Sequence, residues 1–191
     1  MLKRLHLILL LCTIPLLLSG CLGSMLNGEP SLPDFKEQLY IDARLDFTIK
    51  HPLDWKRQQI PVSSPEYRPD SVIWKVQDPT KKSHDSGEML VRCTPANPDK
   101  KLADLLNDYL AEHANLRPGK AEPFIHPVGK ALKLVTDNSA RGDLIIAIKG
   151  QKKDFLIAID FPSQNFSNLL PIFLDIVNSF TEVLPPSTAA L

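Results

Sequence analysis

The chain announces its strands by alternation. Leu45, Phe47 and Ile49 share one side of an extended segment and Asp46, Thr48 and Lys50 the other, which predicts one half-buried strand over residues 40–50. His51-Pro52 stops it, because proline cannot donate to a ladder. Trp55, three residues beyond Pro52, reads as a core side chain packed below that bend. Val72, Trp74 and Val76 alternate in a second strand, and residues 88–94 form a third in which Met89, Val91 and Cys93 share a face. Between these strands, residues 61–70 carry three prolines and form a loop, and residues 78–87 form a polar turn.

The period then lengthens. Leu102, Leu105, Leu106, Tyr109 and Leu110 recur at helical spacing, with Asp104, Asn107, Asp108 and Glu112 on the other side. Asn97-Pro98-Asp99 is read as the helix start and Arg117-Pro118-Gly119 as its end. Strands follow at 130–136, 144–149 and 155–161, with Arg141-Gly142-Asp143 assigned to the hairpin turn between the first two. The runs LIIAI and FLIAIDF are apolar on both faces, so the sheet needs cover on both sides, and helices are the available material. Leu169, Leu170, Phe173, Ile176, Val177 and Phe180 make the stripe of a last helix, which starts near Asn168 so that Pro171 falls in its first turn. One domain over residues 40–183 is expected, with a disordered tail over 184–191.

The first residues obey different rules. Lys3 and Arg4 precede an apolar run over 7–18, which is followed by small residues and Cys21. The run is short for a membrane-spanning helix and holds Pro15, so it reads as a signal peptide over residues 1–20. Leu18-Ser19-Gly20-Cys21 resembles the bacterial lipobox. That resemblance implies cleavage after Gly20, a diacylglyceryl thioether on Cys21 and an acylated new terminus, hence attachment to a membrane. Leu22 rather than Asp follows the cysteine, which in a Gram-negative cell implies the periplasmic face of the outer membrane. Residues 21–39 read as a tether, with a helical turn near 34–39; about 15 flexible residues reach on the order of 20 Å.

Charge and cysteine count narrow the function classes. The sequence holds 22 basic and 22 acidic residues, and loss of Lys3 and Arg4 with the leader leaves two acids in excess. A near-neutral chain of this kind lacks the basic face of a nucleic-acid binder. With Cys12 in the leader and Cys21 lipidated, Cys93 is the one cysteine left, so no internal disulfide can form. Its place on an apolar strand face predicts a buried, unreactive thiol.

The opening strand DFTIKHP followed by Trp55 is similar to the phrase aromatic-x-Ile-x-x-Pro-x-x-Trp that opens domains of the PsbP-like superfamily, with its Mog1 and DcrB relatives. The close fits as well: a strand over 153–161, then a helix ending Ile176-Val177-Asn178-Ser179-Phe180. The resemblance covers residues 40–181. It implies an α/β fold of the α+β kind, an α/β/α sandwich with a central antiparallel sheet of about six strands, in agreement with the order of elements read above. It also implies a non-enzymatic module that binds another protein, here in the cell envelope, with no catalytic residue to carry over. The positions that match the family, Phe47, Ile49, Pro52 and Trp55 in the phrase and Phe180 at the close, are expected to be structural.

No metalloprotease, nucleophile-elbow or phosphate-loop motif is present, and no cofactor is called for. His84, Asp85 and Glu88 form a weak metal-ligand cluster or, on the simpler reading, a polar turn before a strand. A metal-dependent factor or enzyme therefore stays open as the alternative. For a binding module, the expected contact surface is the loop over 61–70 together with 84–87. Tyr67 and Arg68 are its side chains of the types that dominate binding hot spots.

Overall fold

The computed structural model describes residues 35–184, apart from 114, 117, 118, 138 and 139. The leader, Cys21 and nearly all of the expected tail lie outside the described residues.

Among the described residues, two antiparallel sheets and two helices make up the fold. Strands β1 (Glu37–Asp42) and β2 (Phe47–Pro52) pair with a late strand, β10 (Thr181–Glu182), in the order β1-β2-β10. The larger sheet contains β3 (Lys56–Arg57), β4 (Ser71–Gln77), β5 (Ser86–Pro95), β6 (Glu122–His126), β7 (Gly129–Asp137), β8 (Arg141–Lys149) and β9 (Lys153–Pro162). Its order is β3-β4-β5-β9-β8-β7-β6. Helix α1 (Leu102–Glu112) lies on one face of it and α2 (Ser163–Asn178) on the other.

The alternation of side chains sorts the sheet into two cores. Trp74, Val91, Ile146, Ile157 and their in-line neighbours pack with Phe173, Ile176 and Val177 of α2 and with Phe47 and Ile49 of β2. The central strands are apolar on the opposite face too: Leu134, Ile145, Ala147, Leu156 and Ala158 pack under Leu105, Leu106 and Tyr109 of α1. The double-sided burial expected from LIIAI and FLIAIDF is thus met, one face by α1 and the other by α2 with the smaller sheet. Trp55 is 1% exposed, and its indole N–H donates to the carbonyl of Gln77 at 2.9 Å. Cys93 is buried, and burial pushes its thiol up to about 12.

Several local expectations need correction. Residues 40–50 are not one strand. Asp42 takes the N–H groups of Arg44 and Leu45 on its carboxylate, and Asp46 adopts φ 57°, so the chain reverses there. The segment 37–42, part of which was expected as a helical turn, is the first strand of the resulting hairpin. Helix α1 starts at Leu102 rather than at the Asn97 signal. Asn97 closes a turn on the Asp99 N–H, and Asp104 reaches back to the Lys101 N–H. It ends at Glu112, short of the expected stop, of which Arg117 and Pro118 lie outside the described residues.

Pro171 sits inside α2, whose helix begins at Ser163. It lies on the exposed side, where the carbonyl freed by the missing N–H can meet water. Phe166 is the reason for the earlier start. It is buried against Phe173 and over Gly142, where a Cβ would lie 2.2 Å from the Phe166 ring. Glycine at 142 therefore lets the first turn of α2 approach β8. Arg141-Gly142-Asp143 opens β8 and is not the turn before it.

Candidate functional site

The loop over 61–70 is a closed structure held by its own backbone. The Ser64 N–H donates to Pro61 at 2.8 Å, the Tyr67 N–H to Ser64 at 3.0 Å and the Ser71 N–H to Arg68 at 3.2 Å. Such a loop presents its side chains from a fixed frame. Arg68 is exposed and Tyr67 half-buried, and both line a recess of about 310 Å³.

Two further arginines reach the same recess from elsewhere in the chain. Arg44 comes from the β1–β2 turn and donates to the Pro69 carbonyl, with Asp42 4.0 Å away. Arg57 comes from β3, with its guanidinium 5.7 Å from the centroid of Tyr40. Arg68 turns one N–H group back to the Pro65 carbonyl at 2.8 Å. Among the lining residues, these three guanidiniums face one carboxylate, Glu66. Arginine forks of this kind suit carboxylates on a partner.

The second half of the expected surface lies elsewhere. His84 and Asp85 line a separate recess of about 250 Å³ with Asp54, Asp78 and Lys81, and share no lining residue with Tyr67 and Arg68. Asp85 accepts hydrogen bonds from Gln164 at 2.9 Å and Asn165 at 2.6 Å, in the first turn of α2. Those bonds hold its carboxyl below the usual range. Glu88 points to a different cavity and takes a hydrogen bond from Gln58 at 2.8 Å. The three residues of the weak metal cluster are therefore not convergent. Among the described residues, no group of three or more His, Cys, Asp or Glu side chains is placed to hold a metal ion.

One further cavity has no counterpart in the sequence reading. It holds about 670 Å³ on the α1 face of the large sheet, beyond the C-terminal end of that helix. Ile73, Leu90 and Ala158 contribute apolar surface; Tyr109, Glu112 and His113 line it from the helix end; Glu88, Asp160, Asp143 and Arg141 line it from β5, β9 and β8. The three acids form a row across the ladder, because Glu88 is the register partner of Asp160 and Asp160 of Asp143. Burial, with the like charge of Asp160 adding to it, raises the carboxyl of Asp143, even though Thr136 donates to it at 2.8 Å. Burial also raises Asp160, against the pull of Arg141 at 2.6 Å. One signal for this site was in the sequence: Asp160 breaks the apolar run FLIAIDF, and a charge inside a doubly buried strand is rare.

No family model matches the sequence, and no curated protein does. Solved structures do match. The solution structure of cyanobacterial PsbP (CyanoP) from Synechocystis sp. PCC 6803 superposes with a TM-score of 0.57 at 16% identity, over 82% of this chain and 98% of its own. The Ran-binding protein Mog1p of Saccharomyces cerevisiae gives 0.52 at 8% identity, over 78% and 97%. The fold is PsbP/Mog1-like. The resemblance read from DFTIKHP and Trp55 is therefore met in three dimensions, and at these identities the likeness concerns the fold.

Proposed function

We propose that this chain is a lipid-anchored accessory module of the cell envelope, one that binds another protein and performs no covalent chemistry. The arginine-lined recess beside the 61–70 loop carries the reading. It gathers Arg44, Arg57 and Arg68 around Tyr67 on a self-braced loop, a surface suited to an acidic patch on a partner. The lipobox-like Leu18-Ser19-Gly20-Cys21 supports the anchor and the compartment. The PsbP/Mog1-like fold agrees with a binding role, since one protein that shares it is named for binding Ran.

The test is a Tyr67→Ala, Arg68→Ala double variant, first shown to melt as wild type does, in pull-downs from native membranes. The reading expects loss of a specific envelope protein. An identical set of partners at identical yield would remove the loop, and turnover of a small substrate by the pure protein would overturn the non-enzymatic reading.

A further inference from the structure

The small sheet has an apolar side that faces away from the core. Alternation sends Tyr40 of β1 and Phe47 and Ile49 of β2 inward, and Leu39 and Ile41 of β1 outward. Leu39 is 57% exposed and Ile41 61%. Val183 continues the alternation past buried Glu182 and adds to the same side. Its N–H donates to the Asp46 carbonyl at 2.8 Å, and it is 39% exposed.

One exposed leucine needs no explanation, but large apolar side chains gathered on one sheet face mark an interaction surface. The strand that carries Leu39 and Ile41 is also an edge. Among the described residues β1 pairs with β2 alone, which leaves its other side open. A bare apolar edge in water invites pairing with other chains unless something covers it.

Two observations say what covers it. The first is its place in the chain. Strand β1 is the first described strand after Cys21, at a separation of about 15 residues, which as a random coil would span on the order of 20 Å. A lipid on Cys21 therefore brings this face within reach of the bilayer. The second is charge. Lys50 lies opposite Leu39 in the ladder, and Lys36 directly precedes β1; both are exposed, and neither forms an ion pair among the described residues. Glu37 is the acid on this face, at the Pro52 end of the ladder. Lysine stems lie along apolar surface while their ammonium heads reach phosphate.

We infer that the outward face of the small sheet lies on the surface of a phospholipid bilayer, an inference that rests on the lipid-anchor reading. Leu39, Ile41 and Val183 enter the boundary between headgroups and acyl chains, and Lys36 and Lys50 meet the phosphates. The open edge of β1 limits the depth, because its backbone groups need water or headgroups and cannot enter the hydrocarbon. The contact fixes how the module stands on the membrane, which a tether alone leaves free.

The experiment places the full processed chain in nanodiscs of phosphatidylethanolamine and phosphatidylglycerol, with and without spin-labelled lipid. Amide signals at Leu39, Ile41 and Val183 should lose at least about half their intensity to the spin label, while Ile125, on the opposite edge strand of the large sheet, keeps its own. A Leu39→Thr, Ile41→Thr variant keeps residues suited to an exposed strand face, and its Val183 signal should recover to the Ile125 level. Equal attenuation at all four positions, or unchanged attenuation in the variant, would overturn the inference. So would broadening at Leu39 and Ile41 that grows with protein concentration and needs no spin label, which marks a second copy on this face. The mass of the amino-terminal peptide separates the two readings. Lipid on Cys21 without selective attenuation overturns the bilayer contact alone, and an unmodified Cys21 overturns the anchor and the contact with it.

Discussion

Replacement of Trp55 by alanine tests the packing account where its magnitude is easiest to work out. The indole is 1% exposed, sits 6.1 Å from Phe173 between ring centroids, and donates to the Gln77 carbonyl. Removing a buried tryptophan costs about 3–5 kcal/mol, through lost transfer energy and the cavity left behind. The lost hydrogen bond adds about 0.5–1.5 kcal/mol, at the low end here because exposed Gln77 can turn to water. A total of about 4 kcal/mol lowers the melting temperature of a domain of this size by roughly 8–16 °C. Urea unfolding followed by circular dichroism measures it, with Trp55→Phe as the partner variant that keeps most of the volume and should lose less than half as much. A loss under about 1 kcal/mol for Trp55→Ala would refute the reasoning, because no well-packed indole is that cheap to delete.

Other outcomes follow from the same structure. Cys93, buried and with its thiol pushed up to about 12, should react with a thiol reagent only after denaturant is added; fast labelling at neutral pH would contradict its burial. Cys21→Ser should accumulate unprocessed precursor and abolish palmitate labelling, and a labelled mutant would defeat the lipid-anchor proposal. His126 accepts the Val128 N–H at Nδ1 and donates from Nε2 to the Val177 carbonyl, so the neutral ring satisfies both nitrogens. Burial lowers its pKa, as it does that of His51. The unfolded chain therefore takes up protons first as pH falls below about 6.5, and stability present above that value is lost toward the lower folded-state pKa. The urea midpoint should drop between about pH 7 and pH 5, and by less in His126→Gln.

The legible parts of the fold were those whose cause is local. Val72, Trp74 and Val76 alternate because one face of β4 is buried, and Leu105, Leu106 and Tyr109 recur because α1 rests on one stripe. What escaped depends on partners distant in sequence. Residues 37–42 are a strand only because residues 47–52 return beside them, and Thr181 and Glu182 only because β2 offers its other edge. Pro171 argued for a short helix, but the burial of Phe166 over Gly142 outweighs one missing backbone bond on an exposed side. The site divides in the same way. Tyr67 and Arg68 were visible as hot-spot types in a loop, whereas Arg44 and Arg57 join them through the hairpin and the edge strand β3. Asp143 was lost to view when its tripeptide was assigned to a turn, and its pairing with Asp160 exists only in the register of β8 with β9.

Photo-crosslinking in native membranes tests the central proposal most directly. A photoreactive amino acid at Tyr67 samples the β3–β4 end of the large sheet, and the same group at Ile125, which is 95% exposed on the opposite edge strand, serves as the control. The account predicts one discrete protein adduct from position 67 and none from position 125. The same adducts from both positions, or none from position 67, would contradict it.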